Sequence, residues 1–429
     1  MSGAPQPSPG VRPRGVACVN LGCRVNRVEL DDMALELEEL GLELVGEDEA
    51  SAIVVNSCAV TGEAQAKTRK AVRRAAGKPA RPLVLVTGCA AVLFAPELEA
   101  IGDNVVVEPD KARVAARAAE ALGGATPSCA GEEGSVTPTG RTRPGVMVQD
   151  GCDRRCTYCI VWKARGPARS VPFEEVVRRV GAQVARGASE VVLTGINLGC
   201  YQDGALGLAG LCEGVLRRTG VGRIRLSSIE PDVVGDDLLG LMAHSEGRIA
   251  PFLHLPLQSG CDATLRRMGR VYDTSAYREV VRRAREAVPS IALCCDVIVG
   301  FPGETDEEFE ESLAFCREMG FAHMHVFRYS RRPGTPAAAS REQVDPRVSA
   351  ARATRMRALS EEMRARALAS RVGSEELVCV QEDGLGVTGG LYDVLVGDAL
   401  PPGSLISVRV HGMAAPGLLD ARGAAARGA

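Results

Sequence analysis

The chain has 429 residues, enough for about two or three domains, and 45% of them are hydrophobic, so ordinary folded cores can form. The net charge of -3 gives no global basic signal, so a nucleic-acid partner would need a local basic patch. No apolar stretch is long enough to span a membrane and no secretory leader is found, which predicts a cytoplasmic protein without a membrane partner. In that reducing compartment the 15 cysteines are expected to be ligands or free thiols.

Residues 15–123 predict an alternating α/β domain, after a disordered leader at 1–14. Strands are expected at 16–21, 52–55, 83–86 and 105–107, and helical stretches at 28–40, 63–76, 96–101 and 111–122. Strands that alternate with helices indicate a parallel sheet with crossover helices. The segment 124–140 is rich in Gly, Ser, Thr and Pro and is interpreted as a linker.

A second alternating series covers residues 141–345. Six strands are expected, at 146–149, 191–194, 224–227, 253–255, 294–299 and 323–327. Six βα units are too few for a closed eight-stranded barrel, so a partial, open barrel is predicted. An Arg-rich helix at 346–373 follows, then an all-β module at 374–413 with strands at 377–380, 391–396 and 405–410, and finally a loose tail at 414–429.

The strongest chemical signal is a cysteine motif directly after the first strand of the second series. Cys152, Cys156 and Cys159 are separated by three and two residues, so three thiolates can lie on one tight loop. Thiolates are the ligands of iron–sulfur clusters, and three of them on a four-iron cluster leave one iron open to a substrate or cofactor. A zinc knuckle is the alternative, but a structural zinc usually takes four protein ligands.

A second set of cysteines follows the first three strands of the N-terminal domain. Cys23, Cys58 and Cys89 each come after one of these strands. Because the carboxyl ends of parallel strands meet at one edge of a sheet, the three thiols are expected to converge there and to hold a second cluster. The alternative is that they pack as small buried side chains, which is common for cysteine.

With both cysteine sets in this order, the chain resembles the methylthiotransferase family of radical S-adenosylmethionine enzymes. The resemblance covers residues 15–413 and rests on the fragments at 20–26 (NLGCRVN), 56–61 (NSCAVT), 255–260 (LPLQSG), 296–304 (DVIVGFPGE) and 329–336 (YSRRPGTP). The fragments at 194–199 (TGINLG) and 226–231 (LSSIEP) are most similar to the branch that acts on threonylcarbamoyladenosine in tRNA. The chain departs from the family's usual residues at Asp153, Arg154, Trp162, Lys163, Cys261 and Gly269.

The resemblance implies a fold and a set of cofactors. The expected fold class is α/β, with a flavodoxin-like parallel sheet at the N-terminus, a central partial (βα)6 radical-SAM barrel and a small C-terminal all-β barrel similar to the RNA-binding TRAM domain. Two [4Fe-4S] clusters are implied, one for each set of three cysteines, together with S-adenosylmethionine. An electron donor protein and a sulfur source are also required.

The implied function is methylthiolation of a tRNA base. N6-threonylcarbamoyladenosine at position 37, in the single-stranded anticodon loop, would become its 2-methylthio derivative. A radical derived from S-adenosylmethionine would abstract the hydrogen at C2, the second cluster would present the sulfur, and a second S-adenosylmethionine would supply the methyl group. The alternatives are isopentenyladenosine in tRNA, an aspartate of a ribosomal protein, a different radical reaction, or a zinc-containing RNA-binding protein.

The resemblance also suggests residues that contact S-adenosylmethionine, with ordinary loop structure as the alternative for each. Tyr158, between two cluster ligands, is expected against the adenine. The other candidates lie after barrel strands: Thr194 and Gly195 for the amino group, Glu230 and Gln258 for the ribose, and Gly300 and Gly303 for the adenine. No catalytic residue is predicted beyond the cluster ligands, and no histidine is assigned a role. Six arginines could contact tRNA phosphates, and the alternative is that they form a solvated face. They are Arg331, Arg332, Arg347, Arg352, Arg355 and Arg357.

Overall fold

The computed structural model describes residues 15–123, 140–397, 400–423 and 427–428. The predicted leader at 1–14 and almost all of the predicted linker at 124–140 lie outside these residues. The chain divides into two compact units, Met1–Gly134 and Ser135–Ala429. Among the helices that the structure describes, none is long and apolar enough to cross a membrane.

The N-terminal unit contains a five-stranded sheet with helices between its strands. Its elements in chain order are β1 (Gly15–Asn20), α1 (Arg24–Glu39), β2 (Glu43–Leu44), β3 (Ala52–Ser57), α2 (Gly62–Ala76), β4 (Leu83–Gly88), α3 (Cys89–Glu99), β5 (Val105–Val107) and α4 (Val114–Ala121). The strand order is β2-β1-β3-β4-β5, and every neighbouring pair is parallel. The four predicted strands are confirmed. The short strand β2 was not predicted, and the helix predicted at 96–101 begins earlier, at Cys89.

The second unit begins with a series of strands and helices. The strands are β6 (Gly145–Asp150), β7 (Arg169–Ser170), β8 (Glu190–Gly195), β9 (Gln202–Asp203), β10 (Leu206–Gly207), β11 (Arg223–Leu226), β12 (Phe252–His254), β13 (Ala292–Val299) and β14 (His323–Arg328). The helices are α5 (Val161–Arg165), α6 (Phe173–Ala185), α7 (Leu208–Arg218), α8 (Asp236–His244), α9 (Asp262–Met268), α10 (Thr274–Ala287), α11 (Asp306–Met319), α12 (Pro336–Ala339) and α13 (Pro346–Ala369).

Six of these strands form the predicted open parallel barrel. β6, β8 and β11 pair in parallel, as do β12, β13 and β14. A parallel bridge between Ser228 and His254 joins the two groups. Helices cover the outer face, where side chains such as Leu253 and Val297 lie in one large hydrophobic core. All six predicted strands and the long helix, which ends at Ala369, are therefore confirmed.

The C-terminal module is a seven-stranded sheet. Its strands are β15 (Glu375–Val380), β16 (Leu385–Thr388), β17 (Asp393–Leu395), β18 (Leu405–Arg409), β19 (Gly412–Ala415), β20 (Leu418–Asp420) and β21 (Arg427–Gly428). Their order is β19-β20-β17-β16-β15-β18-β21. Part of the predicted loose tail at 414–429 belongs to this sheet instead, since β20 pairs with β17 and Leu419 is fully buried. Such short strands have weak sequence signals, because their stability comes from the neighbouring strands.

Two buried arginines of β11 join the barrel to this module. Arg225 donates to the carbonyls of Gly389 (2.6 Å) and Thr388 (3.0 Å), and Arg223 donates to the carbonyl of Val387 (3.2 Å). Both guanidinium groups also bond the carboxylate of Glu190 on β8. A buried charge needs a partner, and here one carboxylate serves two cations whose remaining donors are satisfied by main-chain carbonyls.

Candidate active site

The loop that carries Cys152, Cys156 and Cys159 follows β6 at the carboxyl edge of the barrel strands. The amide of Cys152 donates to the carbonyl of Gly166 (3.1 Å), and the amide of Thr157 donates to the carbonyl of Met268 (2.9 Å). The hydroxyl of Thr157 adds a bond to the carbonyl of Arg267 (2.8 Å). The loop is thereby attached to the segment after α5 and to the end of α9, so the three thiols stand on a fixed backbone.

Gly151 allows the chain to enter this loop. It has a φ of +72°, and a Cβ at this position would lie 1.9 Å from the carbonyl oxygen of Pro167. No side chain can occupy that space without moving the backbone. Glycine is therefore required here for both conformation and space.

The environment of Cys152 and Cys159 disfavours the charged form of their thiols. Cys156 is buried, and Cys152 and Cys159 are partly buried. Desolvation raises the pKa of Cys152, and it raises the pKa of Cys159 to about 11. Thiolates at this place therefore need a cation to compensate them, which is what an iron cluster supplies.

Arg270 is a cation that the fold places beside the loop, and the sequence analysis did not single it out. Its side chain is only 4% exposed, and it lies 3.4 Å from both the Sγ of Cys156 and the hydroxyl of Tyr158. It forms an ion pair with Glu230 and bonds the hydroxyl of Tyr272 (2.7 Å). Desolvation raises the pKa of Glu230, and the charge of Arg270 opposes that rise. The one available signal is Gly269, whose left-handed conformation ends α9 directly before Arg270.

Unpartnered buried polar atoms lie at the carboxyl ends of two neighbouring strands of the barrel. The hydroxyls of Thr194 and Ser227 and the amide oxygen of Asn197 are buried and have no hydrogen-bond partner among the described residues. Thr194 lies on β8, and Ser227 follows β11, the strand beside it. A buried polar group without a partner costs free energy, so such atoms indicate a polar ligand. The amino and carboxylate groups of S-adenosylmethionine fit this description.

The structure brings some of the other predicted residues close to the cysteine loop. Tyr158 is half-buried, with its ring at the edge of Phe301 (6.4 Å between centroids). Glu230 reaches the loop through Arg270. Gly195 is buried against the side chain of Gln149, since an added Cβ would lie 2.9 Å from its Oε1. No contact of these residues with a cofactor follows from the structure itself.

Packing within the protein accounts for the two predicted adenine-contact glycines. A Cβ on Gly300 would lie 2.5 Å from the hydroxyl of Ser349, and one on Gly303 would lie 2.8 Å from a carboxylate oxygen of Glu342. Gln258 has a positive φ of 68°, and its main chain bonds Asp296 and Ile298 of β13. The conformation of these three residues is therefore explained without a ligand.

Cys23, Cys58 and Cys89 lie after β1, β3 and β4, which are adjacent strands. Ser57 and Gly88 are register partners, so Cys58 and Cys89 occupy equivalent positions just beyond the strand ends. Cys89 is the first residue of α3 rather than part of a loop, and Cys23 is the N-cap residue of α1. A helix N-terminus favours negative charge, which suits a thiolate ligand.

A network of polar side chains holds the three strand ends together. The amide nitrogen of Asn26 donates to Asn56 Oδ1 (2.9 Å) and to the carbonyl of Ser57 (3.0 Å), while its oxygen lies 3.2 Å from the Sγ of Cys23. The hydroxyl of Ser57 accepts from the amide of Ala91 (3.2 Å) in α3. Asn26 and Asn56 are fully buried. The sequence analysis included Asn26 only as part of a fragment, yet this residue links α1, β3 and the first cysteine.

Within the described residues, no three His, Cys, Asp or Glu side chains approach one point closely enough to hold a single metal ion. In a four-iron cluster the thiolates bind different irons, so they stand farther apart than the ligands of one ion. The donor set is thiolate only, which suits iron–sulfur clusters. Both cysteine sets therefore fit a cluster in the chemistry of their donor atoms.

Histidines that the sequence did not assign lie on the inner face of the barrel. The Nδ1 of His254 lies 2.9 Å from the hydroxyl of Ser228, and its Nε2 lies 3.2 Å from a carboxylate oxygen of Asp296. The ring of His325 is 5.9 Å from that of His254. The sequence signal that could have identified them is the alternation of side chains along each strand. This alternation places residues 254, 296 and 325 on the face opposite the helices.

Most of the arginines proposed for phosphate contacts have partners inside the protein. On α13, Arg352 bonds Glu304 and Asp306, and Arg355 pairs with Glu310. Arg332 is buried, and Arg331 bonds the carbonyl of Ala338. The sequence analysis predicted either phosphate contacts or a solvated face for these arginines. Neither prediction included the internal pairs.

Comparison with known proteins identifies two family regions. The Radical SAM superfamily matches residues 146–316, and the family described as Uncharacterized protein family UPF0004 matches residues 15–107. The threonylcarbamoyladenosine tRNA methylthiotransferase MtaB of Bacillus subtilis is 36% identical over 384 residues, which cover 86% of this chain and 85% of that protein. The MtaB of Thermotoga maritima is 36% identical over 325 residues, covering 74% of this chain and 75% of that protein.

A relative of another kind has nearly the same identity. The tRNA-2-methylthio-N(6)-dimethylallyladenosine synthase of Novosphingobium aromaticivorans is 35% identical over 366 residues, covering 81% of this chain and 82% of that protein. Among solved structures, the radical S-adenosylmethionine methyltransferase TsrM of Kitasatospora setae matches with a TM-score of 0.55 at 17% identity, covering 76% of this chain and 77% of that one. At this identity the structural match concerns the fold alone.

Proposed function

The chain belongs to the methylthiotransferase family of radical S-adenosylmethionine enzymes, and we propose that it converts N6-threonylcarbamoyladenosine at position 37 of tRNA to the 2-methylthio derivative. The relatives named for threonylcarbamoyladenosine include those of Bacillus subtilis and Thermotoga maritima, at 36% identity over most of the chain. The observation that carries the proposal is the anchored loop of three thiols at the carboxyl edge of a six-stranded open barrel, beside unpartnered buried polar atoms.

Each part of this site has a task in the proposed reaction. Cys152, Cys156 and Cys159 would hold a [4Fe-4S] cluster with one iron open. When bound, the cluster and S-adenosylmethionine supply one-electron cleavage of the sulfonium, which gives the radical needed at an unactivated carbon. Thr194 and Ser227, together with Asn197, would take the polar groups of S-adenosylmethionine.

Arg270 supports this site from within the protein. Its guanidinium carries positive charge to the Cys156 sulfur and fixes the carboxylate of Glu230. Held in this way, Glu230 has one oxygen available for a hydroxyl of the cofactor ribose. The burial of Arg270 keeps water away from this side of the loop.

The second cysteine set would hold the second [4Fe-4S] cluster, which supplies the sulfur. The equivalent positions of Cys58 and Cys89 beyond adjacent strands support this proposal, as does the network of Asn26 beside Cys23. The strand order β2-β1-β3-β4-β5 is that of flavodoxin-like sheets, which supports a flavodoxin-like N-terminal domain. Gln258 would also contact the ribose of S-adenosylmethionine, and Gly300 and Gly303 would contact its adenine.

The all-β module would act as a TRAM-like domain, and its fixed attachment to β11 through Arg225 would hold it beside the barrel. The substrate would be the tRNA anticodon loop, where a base can leave the stack at low cost. An electron donor protein, a sulfur source and a cytoplasmic location complete the expected setting.

Mass spectrometry of tRNA nucleosides from a strain that lacks the gene tests the reaction. The 2-methylthio derivative of threonylcarbamoyladenosine should disappear, with the unmethylthiolated nucleoside in its place. The wild-type chain should restore the derivative, and a Cys152→Ala variant should not. An unchanged level of the derivative in a strain without a second such enzyme would overturn the proposal.

Dimethylallyladenosine is the second candidate substrate, favoured by the relative from Novosphingobium aromaticivorans. The same nucleoside measurement separates the two candidates. Loss of the 2-methylthio derivative of dimethylallyladenosine alone would move the assignment to this substrate.

A further inference from the structure

The loop of the three thiols and the helix after it carry an aromatic ring with two cations against it. The guanidinium carbon of Arg155 lies 4.1 Å from the centre of the Trp162 ring, and the Nζ of Lys163 lies 5.2 Å from it. Arg155 and Lys163 are exposed, and Trp162 is partly buried. A cation over an aromatic ring is attracted by the negative face of that ring. These three residues form one surface feature, the Trp162 patch.

The Trp162 patch is directly connected to two of the thiols. Arg155 precedes Cys156 in the chain, and Trp162 lies in α5, three residues after Cys159. The amide of Val161, the neighbour of Trp162, donates to the Sγ of Cys159 (3.4 Å). The indole is therefore joined to a sulfur of the loop by a short stretch of main chain and one hydrogen bond.

The two cations of the patch are available to a partner. Neither Arg155 nor Lys163 forms an ion pair within the described part of the chain. Lys163 donates to the carbonyl of Gly334 (2.6 Å), which fixes its position and leaves its charge uncompensated. The exposed carboxylate of the same loop, that of Asp153, accepts from the amide of Ala168 (3.3 Å). The patch therefore presents positive charge to the solvent, and such charge attracts an acidic partner.

We propose that the Trp162 patch is the docking surface for an acidic, low-potential one-electron carrier protein. The inference rests on the proposed function, which needs one electron at the Cys152 loop for each cleavage of the sulfonium. Each transfer removes one electron from the carrier and adds one to the [4Fe-4S] cluster. Carboxylates of the carrier pair with Arg155 and Lys163, and the indole of Trp162 supplies the apolar contact between them.

The placement and chemistry of the patch favour an electron carrier over RNA. Electron transfer between proteins slows steeply with distance, so a carrier must approach the ligand sulfurs, and the patch lies on the segment that contains them. Complexes of electron-transfer proteins are small and transient, and charged groups guide their formation. RNA bases stack on open aromatic faces, whereas Arg155 and Lys163 already lie over the ring of Trp162.

Binding of acidic carriers to the cluster-loaded protein tests the inference. The probes are a plant-type ferredoxin and a flavodoxin, and the wild type should bind at least one of them with an affinity that falls as the salt concentration rises. Arg155→Gln should weaken this binding about fivefold and slow reduction of the cluster by the carrier, followed by electron paramagnetic resonance. Excess dithionite, which needs no docking surface, should reduce the cluster to the same extent in both proteins.

Arg186→Gln is the matched control for the loss of one positive charge. Arg186 is an exposed arginine that ends α6 shortly before β8, so it lies at the amino edge of the barrel strands, opposite the cysteine loop. This variant should bind the carrier as the wild type does.

A second variant, Trp162→Leu, checks the ring and should weaken carrier binding about tenfold. A wild type that binds neither carrier, or unchanged binding in Arg155→Gln, would overturn the inference. An anticodon stem-loop serves as the RNA probe, and its weaker binding to Arg155→Gln with unchanged carrier binding would assign the patch to RNA instead. The nucleoside measurement is separate, so a chain that binds the carrier as expected but methylthiolates neither adenosine contradicts the proposed function alone.

Discussion

The guanidinium of Arg270 lies 3.4 Å from the Sγ of Cys156, although 114 positions separate the two residues in the chain. The same group pairs with Glu230 and bonds Tyr272, so its position is fixed by a carboxylate and a phenol. A fixed cation beside a ligand sulfur influences the charge that an iron cluster can accept.

Replacing Arg270 should make the cluster harder to reduce. In Arg270→Met the hydrogen bond to the Cys156 sulfur and the nearby positive charge are both lost, so the midpoint potential of that cluster should become more negative. The measurement is a redox titration followed by electron paramagnetic resonance. Arg267→Met is the control, since the guanidinium of Arg267 bonds Glu308 and Thr264 instead. An identical potential in wild type and Arg270→Met would refute this role.

The two cysteine sets should bind iron independently. Replacing all three cysteines of the 152 loop by alanine should remove about half of the iron and sulfide from anaerobically purified protein, and so should replacement of Cys23, Cys58 and Cys89. Cys200→Ala, which removes an exposed thiol outside both sets, should retain all of it. Complete loss, or no loss, in either triple variant would contradict two separate clusters.

Gly151 should be more sensitive to substitution than Gly166. Both have a φ of +72°, so alanine at either position costs about 1–3 kcal/mol of backbone strain. Only at Gly151 does the added Cβ also meet a carbonyl oxygen, that of Pro167, while nothing lies within 4 Å at Gly166. Gly151→Ala should therefore lose cluster iron as well as stability, whereas Gly166→Ala should lose stability alone. Iron assay and thermal unfolding measure the two effects. Equal iron content in the two variants would show that the cysteine loop tolerates a shift of its backbone.

Removing the charge of Glu190 should strongly destabilise the second unit. In Glu190→Gln two buried arginines lose their shared carboxylate, which costs about 3–5 kcal/mol. Denaturant unfolding measures the loss. Glu174→Gln, at an exposed pair with Arg218, should change the midpoint little. A midpoint for Glu190→Gln equal to that of wild type would mean that the arginines are stabilised by the carbonyls alone.

The stabilisation by Glu190 should also depend on pH. Burial raises the pKa of this carboxyl, but the charges of Arg225, Arg223 and Arg143 outweigh burial and lower the pKa to about 2. Because the folded-state value lies below the ordinary value of 4.5, the stabilisation is complete above pH 4.5 and is lost as the pH falls towards 2. The difference in unfolding free energy between wild type and Glu190→Gln should therefore shrink over this interval and stay constant above it.

The sequence alone determined the features that depend on local pattern. The six barrel strands and the long helix follow from alternating apolar runs and helical stretches, and the spacing of Cys152, Cys156 and Cys159 places three thiols on one loop. The placement of Cys58 and Cys89 at equivalent strand ends also followed, because parallel strands share a carboxyl edge.

Only the tertiary structure decided which distant side chains meet. Arg270 beside Cys156, Glu190 between two arginines, and the polar chain from Ser228 to Asp296 join residues on separate strands and helices. The strand β20 likewise exists because β17 lies beside it. A contact between residues far apart in the chain leaves no periodic signal in either segment, because its free energy arises only when folding brings both partners together and removes them from water.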